Sequence, residues 1–385
     1  MVSARWWGVW MLLPLVGCTP DSFSYGSGGE AQACDGDACS EACPVGSHAV
    51  EGVCVFECGA WDVTEPQAAA LGLALGSDRL YVVGSANEDA GRPALGWLTA
   101  LSACTGSEDA AALVGNSAAE VAASGDSVCV AGSSADQALI AKLDSTLQAP
   151  PSESLVTGGT LSRVTSTSSG FWAVGASDAD TAWAVKSSAQ GQCSVAFGSV
   201  PSHAVDVAAR DDVVTVLLDT KDGPTLARFV DSSCAPPSCD CSPSDALGPL
   251  SAEGLGALAP AALALGETAI FVAGALDDGA FVMAVDPSSG AVTAARRAAG
   301  TQGARSLTVS GDDLWLGGEG GGFAFVQRYR LPLGQEPEWQ WQSTDYPAVV
   351  SLVSGTAAGE LYWLAAGLDS YRVVHCFDDT SCSVF

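Results

Sequence analysis

The chain has 385 residues, of which 15 are Lys or Arg and 44 are Asp or Glu, so its formal net charge is −29. A protein this acidic repels polyanions, and the composition therefore excludes nucleic acid and an anionic lipid surface as binding partners. The length is ample for one large all-β domain, and 14 cysteines indicate an oxidising compartment.

The N-terminus has the layout of an export signal. Arg5 supplies one positive charge, and residues 6–16 form an apolar run. This run is too short for a permanent transmembrane helix, which needs about 20 residues. It leads directly into a four-residue motif made of Leu15, Val16, Gly17 and Cys18.

These four residues resemble the lipobox of bacterial cell-envelope lipoproteins. The resemblance implies that residues 1–17 are a signal peptide that is removed and that Cys18 becomes the acylated first residue. Two or three acyl chains on Cys18 would anchor the protein stably in a membrane. Thr19 stands where lipoproteins retained at the inner membrane carry Asp, so the resemblance favours the outer membrane. The alternative is an ordinary signal peptide followed by a coincidental cysteine.

Two short segments follow the signal. Residues 18–33 are rich in Ser and Gly and lack periodicity, which predicts a flexible tether. Residues 34–59 are too few to bury a core and have no zinc-ribbon spacing, so we expect disulfides there rather than zinc. The cysteines of this segment are Cys34, Cys39, Cys43, Cys54 and Cys58. Because five is an odd number, one of them reaches the main domain or stays unpaired.

Residues 60–385 repeat one pattern. Residues 71–84 and 263–274 share a Leu-Ala-Leu-Gly run, a polar corner and an apolar run that ends in Gly. Short apolar runs broken by Gly and Asp corners predict strands joined by turns. Seven such units follow one another at intervals of about 43 to 56 residues, which is typical of propeller blades. The equivalent positions at the end of the second strand are Gly84, Gly132, Gly175, Leu218, Gly274, Gly318 and Ala365.

The repeat predicts an all-β fold, a seven-bladed β-propeller. Small residues crowd the first strand of each unit, where blades converge, and aromatic residues on the second strand fill the wider gaps between blades. The Ala-x-x-Ala-Lys-Leu-Asp pattern at residues 138–144 resembles the seven-bladed propeller repeat of bacterial envelope proteins. Leu218 replaces Gly in the fourth unit and leaves its register open. The ring closes through residues 382–385, which we favour, or through residues 58–63.

Several polar motifs fall on corners of the repeat. Gly125, Asp126 and Ser127 look like a hydrolase motif, but no histidine is placed to activate the serine. Paired carboxylates, which suit Ca²⁺ but are usually solvated in turns, occur at residues 211–212, 277–278, 312–313 and 378–379. The three histidines lack metal-ligand spacing, so we expect no catalytic metal, and no cofactor beyond the lipid on Cys18. Trp339 and Trp341 alternate on an outer strand, where one ring could meet a ligand.

Cysteines of the propeller suggest two local disulfides. Cys376 and Cys382 bracket a tight turn, which predicts a bridge between them. Cys234, Cys239 and Cys241 lie in one Pro-containing loop, where we expect one pair.

Together these patterns predict a lipid-anchored binding or scaffold propeller without enzymatic activity. Its partners would be a membrane, through the lipid, and an envelope protein or a glycan, through loops around the axis. Two alternatives remain because a fold does not imply a function. One is a propeller enzyme such as a lyase, a glycosidase or a quinoprotein relative, and the other is a purely structural envelope component supported by Ca²⁺.

Overall fold

The computed structural model describes residues 47–50, 53–56 and most of 60–377. The gaps within the last range are residues 67–68, 87–94, 136, 157, 178–180, 198–201, 235, 237–238, 240, 242–244, 299, 357–358 and 368–369. The chain divides into two units, residues 1–57 and 58–385. In the first unit, β1 (Ser47–Val50) pairs antiparallel with β2 (Val53–Phe56). The predicted signal, lipobox and tether lie outside the described residues.

The second unit consists of seven four-stranded antiparallel groups, here called blades 1 to 7. Blade 1 is β4 (Ala69–Leu75), β5 (Arg79–Ala86), β6 (Leu95–Ser102) and β7 (Glu108–Leu113). Blade 2 is β8 (Ser117–Ser124), β9 (Ser127–Ser134), β10 (Gln137–Asp144) and β11 (Ser152–Val156). Blade 3 is β12 (Gly159–Thr167), β13 (Gly170–Ser177), β14 (Ala182–Ser188) and β15 (Gly191–Ala196). Blade 4 is β16 (Ser202–Arg210), β17 (Val213–Thr220), β18 (Gly223–Val230) and β19 (Asp245–Leu247), with a 3-10 turn at Asp231–Ser233.

The remaining blades follow the same plan. Blade 5 is β20 (Ala259–Leu265), β21 (Ile270–Leu276), β22 (Gly279–Val285) and β23 (Val292–Ala298). Blade 6 is β24 (Thr301–Ser310), β25 (Asp313–Gly320), β26 (Ala324–Arg330) and β27 (Trp339–Ser343). Blade 7 is β28 (Ala348–Ser354), β29 (Leu361–Ala366) and β30 (Ser370–Cys376), completed by β3 (Trp61–Pro66). None of the described residues forms a helix long and apolar enough to cross a membrane.

The blades form a closed ring. The first strand of each blade contacts the first strand of the next, and β28 of blade 7 contacts β4 of blade 1. The hydrophobic core is correspondingly divided into seven clusters, one at each junction between consecutive blades. Trp172, Trp315 and Trp363 on second strands are fully buried in these clusters. The predicted all-β propeller fold is thus confirmed, and the aromatic residues fill the gaps between blades.

A bulge in every first strand explains the repeated glycine. The register of each first strand shifts by one residue at the same place. The residue just before the bulge pairs with the seven equivalent second-strand positions, Leu218 and Ala365 included. A Cβ at Gly84 or Gly132 would lie 2.0 Å from a first-strand carbonyl oxygen. Glycine therefore recurs because the bulge brings two backbones together.

Polar contacts also join consecutive blades. At five junctions a carbonyl at or just after the end of a third strand accepts a hydrogen bond from the preceding blade, a contact called here the blade staple. The acceptors and their donors are Ala103 (Tyr362 and Trp61), Ser145 (Tyr81 and Arg79), Ser188 (Lys142), Asp231 (Lys186) and Pro287 (Arg228). The staples satisfy carbonyls that the sheets leave unpaired.

The N-terminal strand closes the ring. β3 pairs with β30 over its whole length, from Trp61 opposite His375 to Pro66 opposite Ser370. The expectation that residues 382–385 supply this strand is therefore wrong. Trp61 packs on Tyr362 and His375, and the Asp62 carboxylate accepts from Arg372 at 3.0 Å. These side-chain contacts explain why β3 pairs with β30, which the sequence likeness of residues 382–385 to another blade did not indicate.

Candidate functional site

The bulged first strands build a cavity on the axis of the ring, called here the axial channel. Because a bulge re-aims the side chains beside it, the residue following each bulge occupies an equivalent position near the axis. These positions hold Gly72, Glu120, Arg163, Asp206, Ala262, Ser306 and Ser351. The cavity measures about 150 Å³ and is lined by residues of all seven blades, including Glu120, Arg163 and Asp206. Four of the seven positions are small and uncharged, so three charges stand out.

Arg163 lies between two carboxylates. Its Nη1 is 3.8 Å from Glu120 Oε2, and its Nε is 3.9 Å from Asp206 Oδ1. The three side chains come from blades 2, 3 and 4, so the network runs across two junctions. We call it the axial triad. With both carboxylates ionised, the triad carries one net negative charge.

Backbone amides of the carboxylates' own strands and of blade 5 orient the two carboxylates. Asp206 Oδ2 accepts from the Leu263 amide of blade 5 at 2.7 Å, and Oδ1 accepts from Val207 at 2.8 Å. Glu120 Oε1 accepts from Val121 at 3.2 Å. A Cβ at Gly72 would lie 2.2 Å from Glu120 Oε1, so the glycine leaves room for the carboxylate. The triad is therefore held by the scaffold and not by its own ion pairs alone.

Burial makes both carboxyl groups unusually basic. Desolvation raises the pKa of Glu120 to about 7, against the opposing effect of the Arg163 charge. It raises the pKa of Asp206 to about 6, although Arg163 and the amides of Leu263 and Val207 favour the ionised form. Both carboxyl groups therefore titrate closer to neutral pH than exposed carboxyl groups do.

The wall opposite the triad is also polar, and its Ser306 and Arg305 side chains have hydrogen-bond or ion-pair partners. Ser306 Oγ accepts from the Leu352 amide at 2.8 Å. Arg305 reaches Glu319 at 2.8 Å, with both side chains partly exposed. The channel therefore presents hydrogen-bond acceptors and one unbalanced carboxylate to a molecule that enters it. In the part of the chain that the structure describes, no group of three or more His, Cys, Asp or Glu side chains could hold a metal ion.

The predicted cysteine pairs are only partly tested. Cys376 is disulfide-bonded, but Cys382 lies outside the described residues, so their pairing stays a prediction. Cys18, Cys34, Cys39 and Cys43 also lie outside them, as do Leu15, Val16 and Gly17, and Cys54 is placed only as part of β2.

The propeller loop gives a correction. Cys239 bonds to Cys193 of β15 and not to Cys234 or Cys241. Cys239 therefore does not take part in the expected local pair, because β15 lies beside this loop, a neighbour that sequence distance conceals. The bridge joins blade 3 to the chain that follows β18 of blade 4.

Arginine and serine side chains engage the paired carboxylates at three of the turns. Asp278 binds Arg297, and Asp312 and Asp313 both bind Arg330. Asp212 accepts hydrogen bonds from the Ser232 amide and hydroxyl. Residues 378–379 lie outside the described part of the chain. A Ca²⁺ site at these turns stays a prediction.

The other candidate residues have structural positions. Asp126 and Ser127 form a turn whose Asp126 carbonyl accepts from the Ser145 amide. His375 is buried against Glu360, while His203 is exposed. Trp341 is buried, and Trp339 packs between Trp315 and Trp363. Neither tryptophan offers a fully exposed ring to a ligand.

The axial triad was not among the predicted site residues. Its signal is nevertheless present in the sequence, because Glu120, Arg163 and Asp206 occupy one repeat position where other blades have Gly, Ala or Ser. An alignment of the first strands at the bulge, instead of at the glycine of the second strand, shows that these three charged residues share one repeat position. The bulge itself cannot be read from residue types.

Comparison with known proteins supports the fold and leaves the family open. No protein-family model matches the chain, and no curated protein matches it. The Dos1 propeller aligns with a TM-score of 0.53 at 9% identity, covering 82% of this chain and 95% of that chain. U3-55K aligns with a TM-score of 0.57 at 10% identity, covering 82% and 98%. BamB from Moraxella catarrhalis aligns with a TM-score of 0.48 at 13% identity, covering 80% and 85%. The first two likenesses show a β-propeller fold.

Proposed function

We propose that this chain is a lipid-anchored envelope propeller whose axial channel and surrounding loops bind a protein partner through a basic segment. The axial triad carries the proposal. Two junctions hold a half-buried network of two carboxylates and one guanidinium at the one place where the other blades have small residues. A ring needs no such charges to close, since burying them costs free energy.

The chemistry of the channel favours a cationic group of the partner. A Lys or Arg side chain entering the channel would meet the unbalanced carboxylate and the acceptors of Ser306 and Ser351. The net charge of −29 adds long-range steering toward a basic surface. A neutral glycan can donate hydroxyl hydrogen bonds to these acceptors but gains nothing from long-range steering, so the net charge supports the protein partner over the glycan.

A non-enzymatic role fits the same contacts. Backbone amides and Arg163 already engage the two carboxylates of the triad, which suits recognition better than proton transfer to a substrate. Ion pairs with Arg297 and Arg330 likewise neutralise carboxylates at the paired-acid turns. We therefore expect the melting temperature to be the same with and without EDTA, and a drop with EDTA would favour a Ca²⁺-supported structural component.

The lipid anchor is tested on protein from its native cell. Intact mass should show a chain that begins at Cys18 and carries acyl groups, recovered from the outer-membrane fraction. Cys18→Ser should release the protein into the soluble fraction. Protein that retains residues 1–17, or a wild-type chain that is soluble, would contradict the anchor.

Partner binding is tested by cross-linking in cells that express the full-length chain. Wild type should capture a defined protein, and Glu120→Gln with Asp206→Asn should reduce the yield severalfold. The matched control is Asp126→Asn with Asp222→Asn, which removes two exposed carboxylates outside the channel. Equal capture by both double variants would reject the channel as the binding site. Loss of capture when free oligosaccharide is added as a competitor would favour a glycan.

A further inference from the structure

Two cysteine side chains lie together at the junction of blades 3 and 4. Cys234 is fully buried and Cys241 is 6% exposed, and both belong to the hydrophobic cluster that contains Trp172 and Phe229. The two side chains share a hydrogen bond. They are therefore sulfur neighbours in a core that excludes water.

The backbone fixes both ends of this short loop. The Cys234 amide donates to the Asp231 carbonyl at 3.0 Å, and the Cys241 amide donates to the Cys239 carbonyl at 2.9 Å. Cys239 is itself bridged to Cys193 on β15. Because the loop is already anchored on both sides, bringing the two sulfurs into covalent contact needs little additional ordering.

Other cysteines of the same unit are paired. Cys104, Cys193, Cys239 and Cys376 are disulfide-bonded, which fits an oxidising compartment. Cys129 is fully buried on β9, opposite Lys142.

We propose that Cys234 and Cys241 form a disulfide in the mature protein, so that two bridges lie side by side at the junction of blades 3 and 4. The reaction is thiol–disulfide exchange with an oxidised thiol partner of the envelope. Both cysteines lose their hydrogens as one S–S bond forms, while the partner's S–S bond breaks and becomes two thiols. The oxidant rests on the envelope location proposed above.

The bridge would act on the blade staple beside it. Asp231 stands three residues before Cys234 and binds Lys186 of blade 3 through its side chain at 2.7 Å and its carbonyl at 2.8 Å. Locking residues 234–241 fixes the chain that presents Asp231. The covalent bridge and the buried ion pair therefore stabilise the same junction.

Disulfide mapping tests the proposal without a mutation. Intact cells are denatured directly in N-ethylmaleimide without reductant, so that buried free thiols are also blocked, and the full chain is then cleaved before Asp. Asp240 separates Cys239 from Cys241, so cleavage yields residues 231–239, residues 240–244 and a peptide that contains Cys193. The proposal predicts one species in which the three peptides are linked, with fragmentation assigning Cys234 to Cys241. Cys129 should carry the label, whereas Cys193, Cys234, Cys239 and Cys241 should not.

The other outcomes overturn the proposal in distinguishable ways. A labelled 240–244 peptide, beside residues 231–239 linked to the Cys193 peptide, would overturn the bridge and leave the oxidising location intact. Labels on Cys193, Cys234, Cys239 and Cys241 together would overturn the bridge and the location. Cys193 linked to Cys241, with Cys234 linked to Cys239, would overturn the proposed pairing.

Discussion

Two junctions of the ring use the same staple with different chemistry. Between blades 3 and 4, the donor is Lys186 and the acceptor residue Asp231, with both side chains almost fully buried. Between blades 7 and 1, the donors are the neutral Trp61 and Tyr362, and the acceptor is the Ala103 carbonyl. The first junction adds a disulfide, Cys193–Cys239. The second adds aromatic packing, and Cys104, next to the Ala103 acceptor, is also disulfide-bonded.

The two junctions differ in the sequence separation of the segments that they join. Blades 3 and 4 are consecutive in sequence, so their junction forms from neighbouring segments. The 7/1 junction joins residues far apart in sequence, as in the hydrogen bond from Tyr362 to the Ala103 carbonyl, which are separated by 259 positions. Contacts between distant residues close a longer loop, so they lose more conformational entropy on forming than contacts between neighbouring segments do. We therefore expect the closing junction to be the weak point of the ring.

The largest effect is expected at the 3/4 junction. Asp231→Ala removes the partner of a buried Lys186 and leaves Trp172 Nε1 without its acceptor. Breaking a buried ion pair on one side costs about 3 to 5 kcal/mol. Chemical denaturation should show a loss of that order in the free energy of unfolding. Lys186→Met combined with Asp231→Leu should recover most of it, and a loss below about 1 kcal/mol for the single variant would contradict the account.

A smaller effect is expected at the closing strand. Trp61→Ala removes ring contacts with Tyr362 and His375 and the bond to Ala103. Because Trp61 is only partly buried, we expect a loss of about 2 to 3 kcal/mol. The matched control is Trp339→Ala, since Trp339 lies opposite Arg328 as Trp61 lies opposite His375.

Limited proteolysis separates these two variants. Trp61→Ala should speed cleavage near β3, whereas Trp339→Ala should leave the rate at β3 unchanged. Equal rates in the two variants would mean that the closing junction is no weaker than an ordinary blade edge.

Proton linkage distinguishes the axis from the 3/4 junction. The pKa values of Glu120 and Asp206 are raised to about 7 and about 6. The folded state then binds more protons than the unfolded state, so stability falls as pH rises through that window. The fall should be on the order of 2 kcal/mol between about pH 5 and pH 8. Glu120→Gln with Asp206→Asn should flatten the pH dependence of the melting temperature over this range.

Asp231 should show the opposite sign. Burial alone would raise its pKa, but hydrogen bonds from Lys186, Ser169 and Trp172 hold the pKa below its ordinary value. Its contribution is therefore present at neutral pH and is lost as pH falls below the ordinary carboxyl range. A melting temperature of the wild type that rises steadily from about pH 5 to pH 8 would contradict the axial assignment.

The smallest effect is expected at the surface of the closing blade. Asp62→Asn breaks the pair with Arg372, in which both side chains are partly exposed. Exposed pairs contribute about 0 to 1 kcal/mol, so the free energy of unfolding should change by less than that. A larger loss would show that the Asp62–Arg372 pair, and not the Trp61 packing, holds β3 in place.

The repeat was visible in the sequence because packing imposes it. Gly84, Gly132 and Gly274 recur since a Cβ there would meet the bulged backbone, and the second-strand aromatic residues recur since each junction needs filling. These constraints act on most blades, with Leu218 and Ala365 as the exceptions to the glycine, so periodicity reveals them. The all-β propeller could be predicted on this basis alone.

Features that occur once could not be predicted in the same way. The partner of Cys239 depends on the neighbouring blade, and the closing strand depends on contacts between Trp61 and residues 300 positions later. The charges at Glu120, Arg163 and Asp206 were readable as residues, but their meeting at the axis required the bulge. Local patterns do not encode which distant segments become neighbours.

Hydrogen exchange of the full chain tests ring closure by β3 most directly. Hydrogen-bonded amides of β3 (Trp61–Pro66) should be protected far above an unstructured peptide, although they should exchange faster than those of β27 (Trp339–Ser343), the equivalent outer strand of blade 6. Exchange in β3 as fast as in an unstructured peptide, with β30 amides unprotected on their outer edge, would contradict ring closure by β3. That result would mean that the N-terminal strand does not complete blade 7.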